Sequence, residues 1–244
     1  MHRWVVLDLG LALNRERIEN SGRVSVDGPG IEEAMRDSAK FWDKLADKYS
    51  KKPVKDMENY NKTLDCTRKH LSASDNVLEV GCGTGTTALL LAPSVKQIAA
   101  SDISSRMIEI ARERAVTQEV ENVRFDRATL FDEDLEKRSY DVVMAFNFLH
   151  LLADIAGAVH RVHELLKPGG LFISKTACLA EQSRLWNLLL AVMKPLGFAP
   201  YVKCLKVAEI EDIITSTDFE IVETDFYPPS PPRHFIVARK SGAG

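Results

Sequence analysis

At 244 residues, with 45% hydrophobic and 27% charged residues, the chain has the make-up of an ordinary globular protein and enough length for a full core without staples. Its 32 basic and 35 acidic residues leave a formal net charge of −3, which lacks the basic excess of a protein that neutralises nucleic-acid phosphates. No run approaches the roughly 18 apolar residues of a membrane span. Cys66, Cys82, Cys178 and Cys204 are too dispersed for a zinc site or a disulfide framework. That usage suits a reducing cytoplasm and no bound metal.

In chain order, residues 1–38 read as a poorly packed leader, interrupted by Gly28-Pro29-Gly30. A helix is expected from Ser38, with Phe41, Trp42, Leu45, Ala46 and Tyr49 on one face and Pro53 as its stop. A second helix over Asp56–His70 carries Tyr60, Leu64, Thr67 and Leu71 as its apolar stripe. After Ser74-Asp75 the texture changes to alternating strands and helices. Strands are predicted at Val77–Val80, Gln97–Ser101, Val123–Phe125, Asp141–Phe146 and Leu171–Lys175, the last preceded by a Lys167-Pro168-Gly169-Gly170 turn. Helices are predicted from the glycine loop to Leu91, over Ser104–Gln118 and over Ile155–Leu166. The tail offers a helix at Val207–Thr215 and strands at Glu220–Phe226 and Phe235–Arg239. Pro228–Pro232 is too short for a crossover, so these last two strands pair antiparallel. The expectation is an α/β, Rossmann-like, seven-stranded, mostly parallel sheet with one antiparallel strand and helices on both faces.

The sharpest signal is Glu79-Val80-Gly81-Cys82-Gly83-Thr84-Gly85, directly after a strand and before a helix. Glycines there let the backbone approach a ligand closely, at the strand end where α/β sheets bind nucleotides. A dinucleotide fingerprint needs glycine or alanine at position 86, where threonine stands. The acid followed by GxGxG resembles the first motif of the class I S-adenosylmethionine-dependent methyltransferases, nearest to their UbiE-like group. That resemblance covers about Phe41 to Arg239. It implies a single methyltransferase domain over 39–240, with 39–74 as a helical cover, 180–206 as an insertion and 241–244 as a tail. It implies S-adenosyl-L-methionine as cofactor and S-adenosyl-L-homocysteine as product. Cofactor contacts are expected from Glu79, Gly81, Cys82, Gly83 and Gly85, and from Asp102, whose carboxylate would accept the ribose hydroxyls, the alternative being a helix N-cap. Ile103 and Met107 match positions against the adenine ring, or are core. Many relatives carry an acid after the third strand, and Thr129 stands there with the Leu130 amide beside it; Asp126 and Asp132 are alternatives. Tyr49 and Tyr60 match positions that close over the cofactor, or pack ordinarily.

Phe146 and Asn147, at the end of the fourth strand, match the place where the methyl group meets its acceptor. His150 is the candidate general base, or a packing residue. Lys175, Thr176 and Cys178 end the fifth strand on the substrate side, and the reaction needs no covalent Cys178 intermediate. The segment Leu185–Met193 around Trp186 is apolar on nearly every face and Tyr201 follows it, so it is a buried helix, a lid over the acceptor, or a dimer or membrane-surface contact. Trp186, Tyr201, Lys175 and His150 are the candidate substrate residues. The expected partner is a small apolar or amphipathic acceptor (a quinol, a lipid-like compound or a thiol) and not nucleic acid, bound by a monomer or homodimer. The alternative is a cofactor-binding regulatory protein of the same fold without transfer activity.

Overall fold

The computed structural model describes residues 29–181 and 201–242. The chain divides into two compact units, Met1–Arg36 and Asp37–Gly244, and of the first only the opening of one helix is described. That helix, α1 (Pro29–Ser50), begins earlier than the expected Ser38, with proline in its first position, where a missing N–H costs nothing. The remaining elements are α2 (Met57–Arg68), β1 (Asn76–Val80), α3 (Thr86–Leu91), β2 (Gln97–Asp102), α4 (Ser105–Thr117), β3 (Val123–Arg127), β4 (Tyr140–Phe146), α5 (Ile155–Leu165), β5 (Leu166–Ala177), α6 (Val207–Thr215), β6 (Phe219–Phe226) and β7 (Arg233–Lys240).

The seven strands lie in the order β3-β2-β1-β4-β5-β7-β6. The first five run parallel, and β7 is antiparallel to both β5 and β6, as the short proline turn requires. Successive residues feed opposite faces. Leu78, Val143, Phe172 and Ile236 join a core under α5 and α6, while Val77, Met144, Ile173 and Phe235 join a second one under α2, α3 and α4. Near-continuous apolar strands are what a sheet covered on both faces demands.

Local chemistry sets the helix starts. The side chains of Asp56, Ser104 and Asp154 cap α2, α4 and α5 by accepting the N–H groups of Asn59, Met107 and Gly157 at 3.1, 3.1 and 2.8 Å. Ser104, and not Asp102, is therefore the cap of α4. The Lys167–Gly170 turn lies within β5, which already pairs Leu166 with Tyr140 and shifts register before Val142 meets Leu171. Gly169 takes φ +75° there, and a Cβ on Gly170 would stand 2.9 Å from the Asp141 carbonyl. The chain passes from the β1–β2–β3 wing to β4 on the other side of β1. Strand order thus reverses at the carboxyl end of β1, where this kind of sheet opens a crevice. The described residues contain no helix long and apolar enough to cross a membrane.

Candidate functional site

The loop after β1 occupies that crevice. Gly81, Gly83 and Gly85 all have positive φ, at +68°, +54° and +75°. Their surroundings differ. A Cβ on Gly81 would run into the ring of Phe148, and one on Gly85 would lie 2.7 Å from the Phe125 ring and 2.9 Å from Ala111. Among the described residues a Cβ on Gly83 meets no atom within 4 Å, so this glycine faces open space there. Two glycines serve packing and the middle one serves the crevice.

Asp102 ends β2 beside this loop. Its Oδ2 accepts the Gly83 N–H and its Oδ1 the Ser104 N–H, both at 2.9 Å. Each oxygen keeps further lone-pair capacity for a ligand hydroxyl. Burial raises the Asp102 pKa against the lowering effect of these amides. Glu79, on β1, is buried more deeply. Its carboxyl accepts the Ala88 N–H, while Oε2 has no partner among the described residues. Burial, reinforced by the charge of Asp102, pushes it up to about 8, so Glu79 carries a proton at neutral pH. Cys82 is buried, and burial first, then the two acids, keep its thiol protonated.

Residues outside the motif hold the loop, and sequence reading missed them. Arg114, from α4, donates to the Thr84 carbonyl at 3.1 Å and to the Thr84 and Thr86 hydroxyls at 2.8 Å each. Its other nitrogen reaches the Ser50 carbonyl of α1 at 2.8 Å. The Ser104 hydroxyl donates to Asp43 of α1 at 2.6 Å. A basic residue in the last turn of a helix and an acid on an amphipathic face carry no local signature of such contacts. Tyr60 shares a hydrogen bond with Thr87 at 3.1 Å and sits half-buried beside α3, whereas Tyr49 is 56% exposed. The expected apolar face of α1 therefore ends at Ala46.

The third strand reaches the same crevice, since the Ala128 N–H donates to the Asp102 carbonyl at 3.2 Å. The Thr129 hydroxyl donates to Asp132 at 2.6 Å and accepts the Phe131 N–H at 3.2 Å, so it is largely occupied locally. The Leu130 side chain is core. Ile103 is half-buried, and Met107 is buried with Ala46, Ile110 and Trp42 between α1 and α4.

Beyond β4 the geometry changes character. Phe146 packs on the α2–α4 side of the sheet. Asn147 takes φ +54°, its N–H donates to the Lys175 carbonyl at 2.7 Å, and its Oδ1 accepts from Arg233 at 3.2 Å. His150 Nδ1 is buried with no partner among the described residues. Burial, and then the positive charge of Arg233, lower it to about 4. Lys175 is 5% exposed and donates to the Thr63 hydroxyl of α2 at 2.9 Å. Thr176 and Cys178 are buried. Tyr201 is 47% exposed, and the nearby Lys203 N–H donates to the His150 carbonyl at 2.8 Å. Trp186 and the rest of the apolar segment lie outside the described residues. Among the described residues no group of His, Cys, Asp and Glu could hold a metal.

A glycine loop at the strand-order reversal, flanked by a carboxylate at the next strand end, defines an α/β protein that binds a nucleoside cofactor. A methyltransferase-domain family model matches residues 78–172. The chain is 33% identical over 112 residues to "Uncharacterized methyltransferase YcgJ" of Bacillus subtilis (strain 168), covering 46% of this chain and 42% of that one. The crystal structure of that protein superposes with a TM-score of 0.63 at 18% identity, over 75% of this chain and all of the other. A ubiquinone biosynthesis O-methyltransferase of Burkholderia vietnamiensis is 27% identical over 192 residues, 75% of this chain and 79% of that enzyme. A ribosomal protein L11 methyltransferase of Acetivibrio thermocellus is 32% identical over 107 residues, 43% of this chain and 33% of that enzyme. Residues 78–172 are thus similar to the methyltransferase domain, and the relatives and the superposed structure are themselves methyltransferases or share their fold. That similarity points to methyl transfer with S-adenosylmethionine as the cofactor. The residues present suit that cofactor, because the backbone is bare at Gly83 and an orphaned carboxyl oxygen stands at Glu79.

Proposed function

We propose that the protein transfers the methyl group of S-adenosylmethionine to a small amphipathic or apolar acceptor, of quinol, lipid-like or thiol type. The observation that carries this reading is the 192-residue match to the ubiquinone biosynthesis O-methyltransferase, which is longer than the 78–172 family match. The net charge of −3 agrees with it, since a nucleic-acid acceptor calls for a basic surface.

When bound, the cofactor supplies an electrophilic methyl on a sulfonium, and the chain's own task is alignment. Glu79 Oε2 would accept from the cofactor ammonium and Asp102 from the ribose hydroxyls, with the Gly81–Gly85 backbone beneath them. Ile103 and the Leu130 amide would flank the adenine, and Asp132, whose carboxylate accepts the Thr129 N–H and hydroxyl, would be the acid toward the amino group in place of Thr129. Arg114 and Asp43 are positioning residues that fix the loop and its helical cover. Phe146 and Asn147 would frame the reacting centre. A histidine held near 4 stays neutral at pH 7 and is a weak base. His150 would pack the acceptor end, and the rate would come from orientation and exclusion of water.

The test is release of S-adenosylhomocysteine across a panel of quinols, amphiphiles, thiols, ribosomal protein and RNA. Turnover confined to the small acceptors is expected. Turnover on ribosomal protein alone would overturn the acceptor class. Cofactor binding with no turnover on any acceptor would favour a regulatory cofactor-binding protein.

A further inference from the structure

The acceptor end carries two cations that form no ion pair among the described residues. Lys175 is 5% exposed, yet among the described residues its ammonium has one hydrogen-bond partner, the neutral Thr63 hydroxyl. Arg233, at the exposed start of β7, donates to the neutral Asn147 amide. Among the described residues neither cation has a carboxylate within 4 Å. Asp56 acts electrostatically on both cations from beyond 4 Å, and its two oxygens accept the backbone and side chain of Asn59 at 3.1 and 2.9 Å. Buried charges are ordinarily paired, so a lone ammonium at this depth implies a partner that the fold does not supply.

The sheet register brings these groups together. Phe146 of β4 stands beside Lys175 of β5, and Ala177 of β5 stands beside Arg233 of β7. Arg233 acts electrostatically on both Lys175 and His150. This end of the sheet also carries His150, whose buried Nδ1 has no partner among the described residues. It lies at the carboxyl ends of β4 and β5, next to Asn147 and one strand from the glycine loop.

We infer that the acceptor is an amphiphile whose anionic head, a carboxylate or a phosphate, is held between Arg233 and Lys175. Arg233 would present its planar fork to two oxygens of the head, as guanidinium does with such groups, while Lys175 supplies a point charge from below. Burial first, then the neighbouring Arg233 charge, lower Lys175 to about 8, which leaves it mostly cationic at pH 7. This inference rests on the methyltransferase reading, because it names the acceptor of that same site. A cationic pair at the site also favours an acceptor oxygen that arrives already ionised, which suits a site whose histidine is a weak base.

The experiment uses the full chain saturated with S-adenosylhomocysteine, at low ionic strength. Calorimetry then measures benzoate, phenyl phosphate and the neutral analogue benzyl alcohol. Saturation fills the cofactor's own carboxylate site, and failure of S-adenosylhomocysteine to bind would condemn the methyltransferase reading separately. Tighter binding of one or both anions than of benzyl alcohol is expected, and whichever anion wins identifies the head group. Arg233→Gln, an exposed position, should weaken the preferred anion about tenfold or more, and Arg233→Lys should recover part of it. Lys175→Met should do the same with S-adenosylhomocysteine affinity unchanged. Equal binding of benzyl alcohol, no anion binding at millimolar concentration, or an Arg233→Gln protein with undiminished anion affinity would each overturn the inference.

Discussion

Glu79→Gln separates a buried neutral acid from a charged one. The ordinary glutamate value is 4.5 and the folded protein holds Glu79 near 8, chiefly through burial. Between those values the unfolded chain has released a proton that the native state retains. The contribution of Glu79 to stability is therefore fully present below about pH 4.5, and is lost as pH rises through about 8. The slope is about 1.4 kcal/mol per pH unit, so wild type should lose about 3 kcal/mol relative to Glu79→Gln between pH 5.5 and pH 8. The glutamine keeps the shape and stays neutral, and any fixed cost of its amide is the same at both pH values. Subtracting the two profiles also cancels other titrating groups such as His150, whose lowered pKa gives stability of the opposite pH sign. Urea unfolding at a series of pH values measures the difference directly. Parallel profiles for the two proteins would show Glu79 ionised in the native state, and the orphaned Oε2 would then need another explanation. Wild type should also release a proton on binding S-adenosylmethionine near pH 7, seen as a buffer-dependent calorimetric enthalpy, and Glu79→Gln should not.

The loop glycines should divide by role. Gly83→Ala should cost about 1 kcal/mol in stability from its positive φ and lose most cofactor affinity, whereas Gly85→Ala should destabilise the fold by about 1–3 kcal/mol by driving into Phe125 and Ala111. Thermal unfolding and calorimetry on the pair check this, and equal loss of binding with equal stability would refute it. Asp102→Ala removes the acceptor of the Gly83 and Ser104 amides and should weaken S-adenosylhomocysteine about tenfold or more in an equilibrium titration. Unchanged affinity would move the ribose role to another acid.

Much of this protein is written locally. Apolar strands of five or so residues, punctuated by Gly81–Gly85 and by the Pro228–Pro232 turn, determine the alternation of strand and helix and the reversed last pair, because period and turn chemistry act over a few residues. The same is true of the cofactor loop, whose positive-φ glycines follow a strand and whose acid ends the next one. Tertiary structure decided what long-range contacts decide. It exposed Tyr49 and buried Met107 under α1, since helix rotation depends on the partner surface. It spent the Thr129 hydroxyl on Asp132, gave the α4 cap to Ser104, and brought Arg114 and Asp43 to the loop from other helices. It also divided three similar glycines into two that back onto Phe148 and Phe125 and one that faces the crevice. Above all, Lys175 and Arg233 come to the same end of the sheet only through the register of β5 and β7. These residues stand tens of positions apart in the chain, and only folding sets their charges against one another.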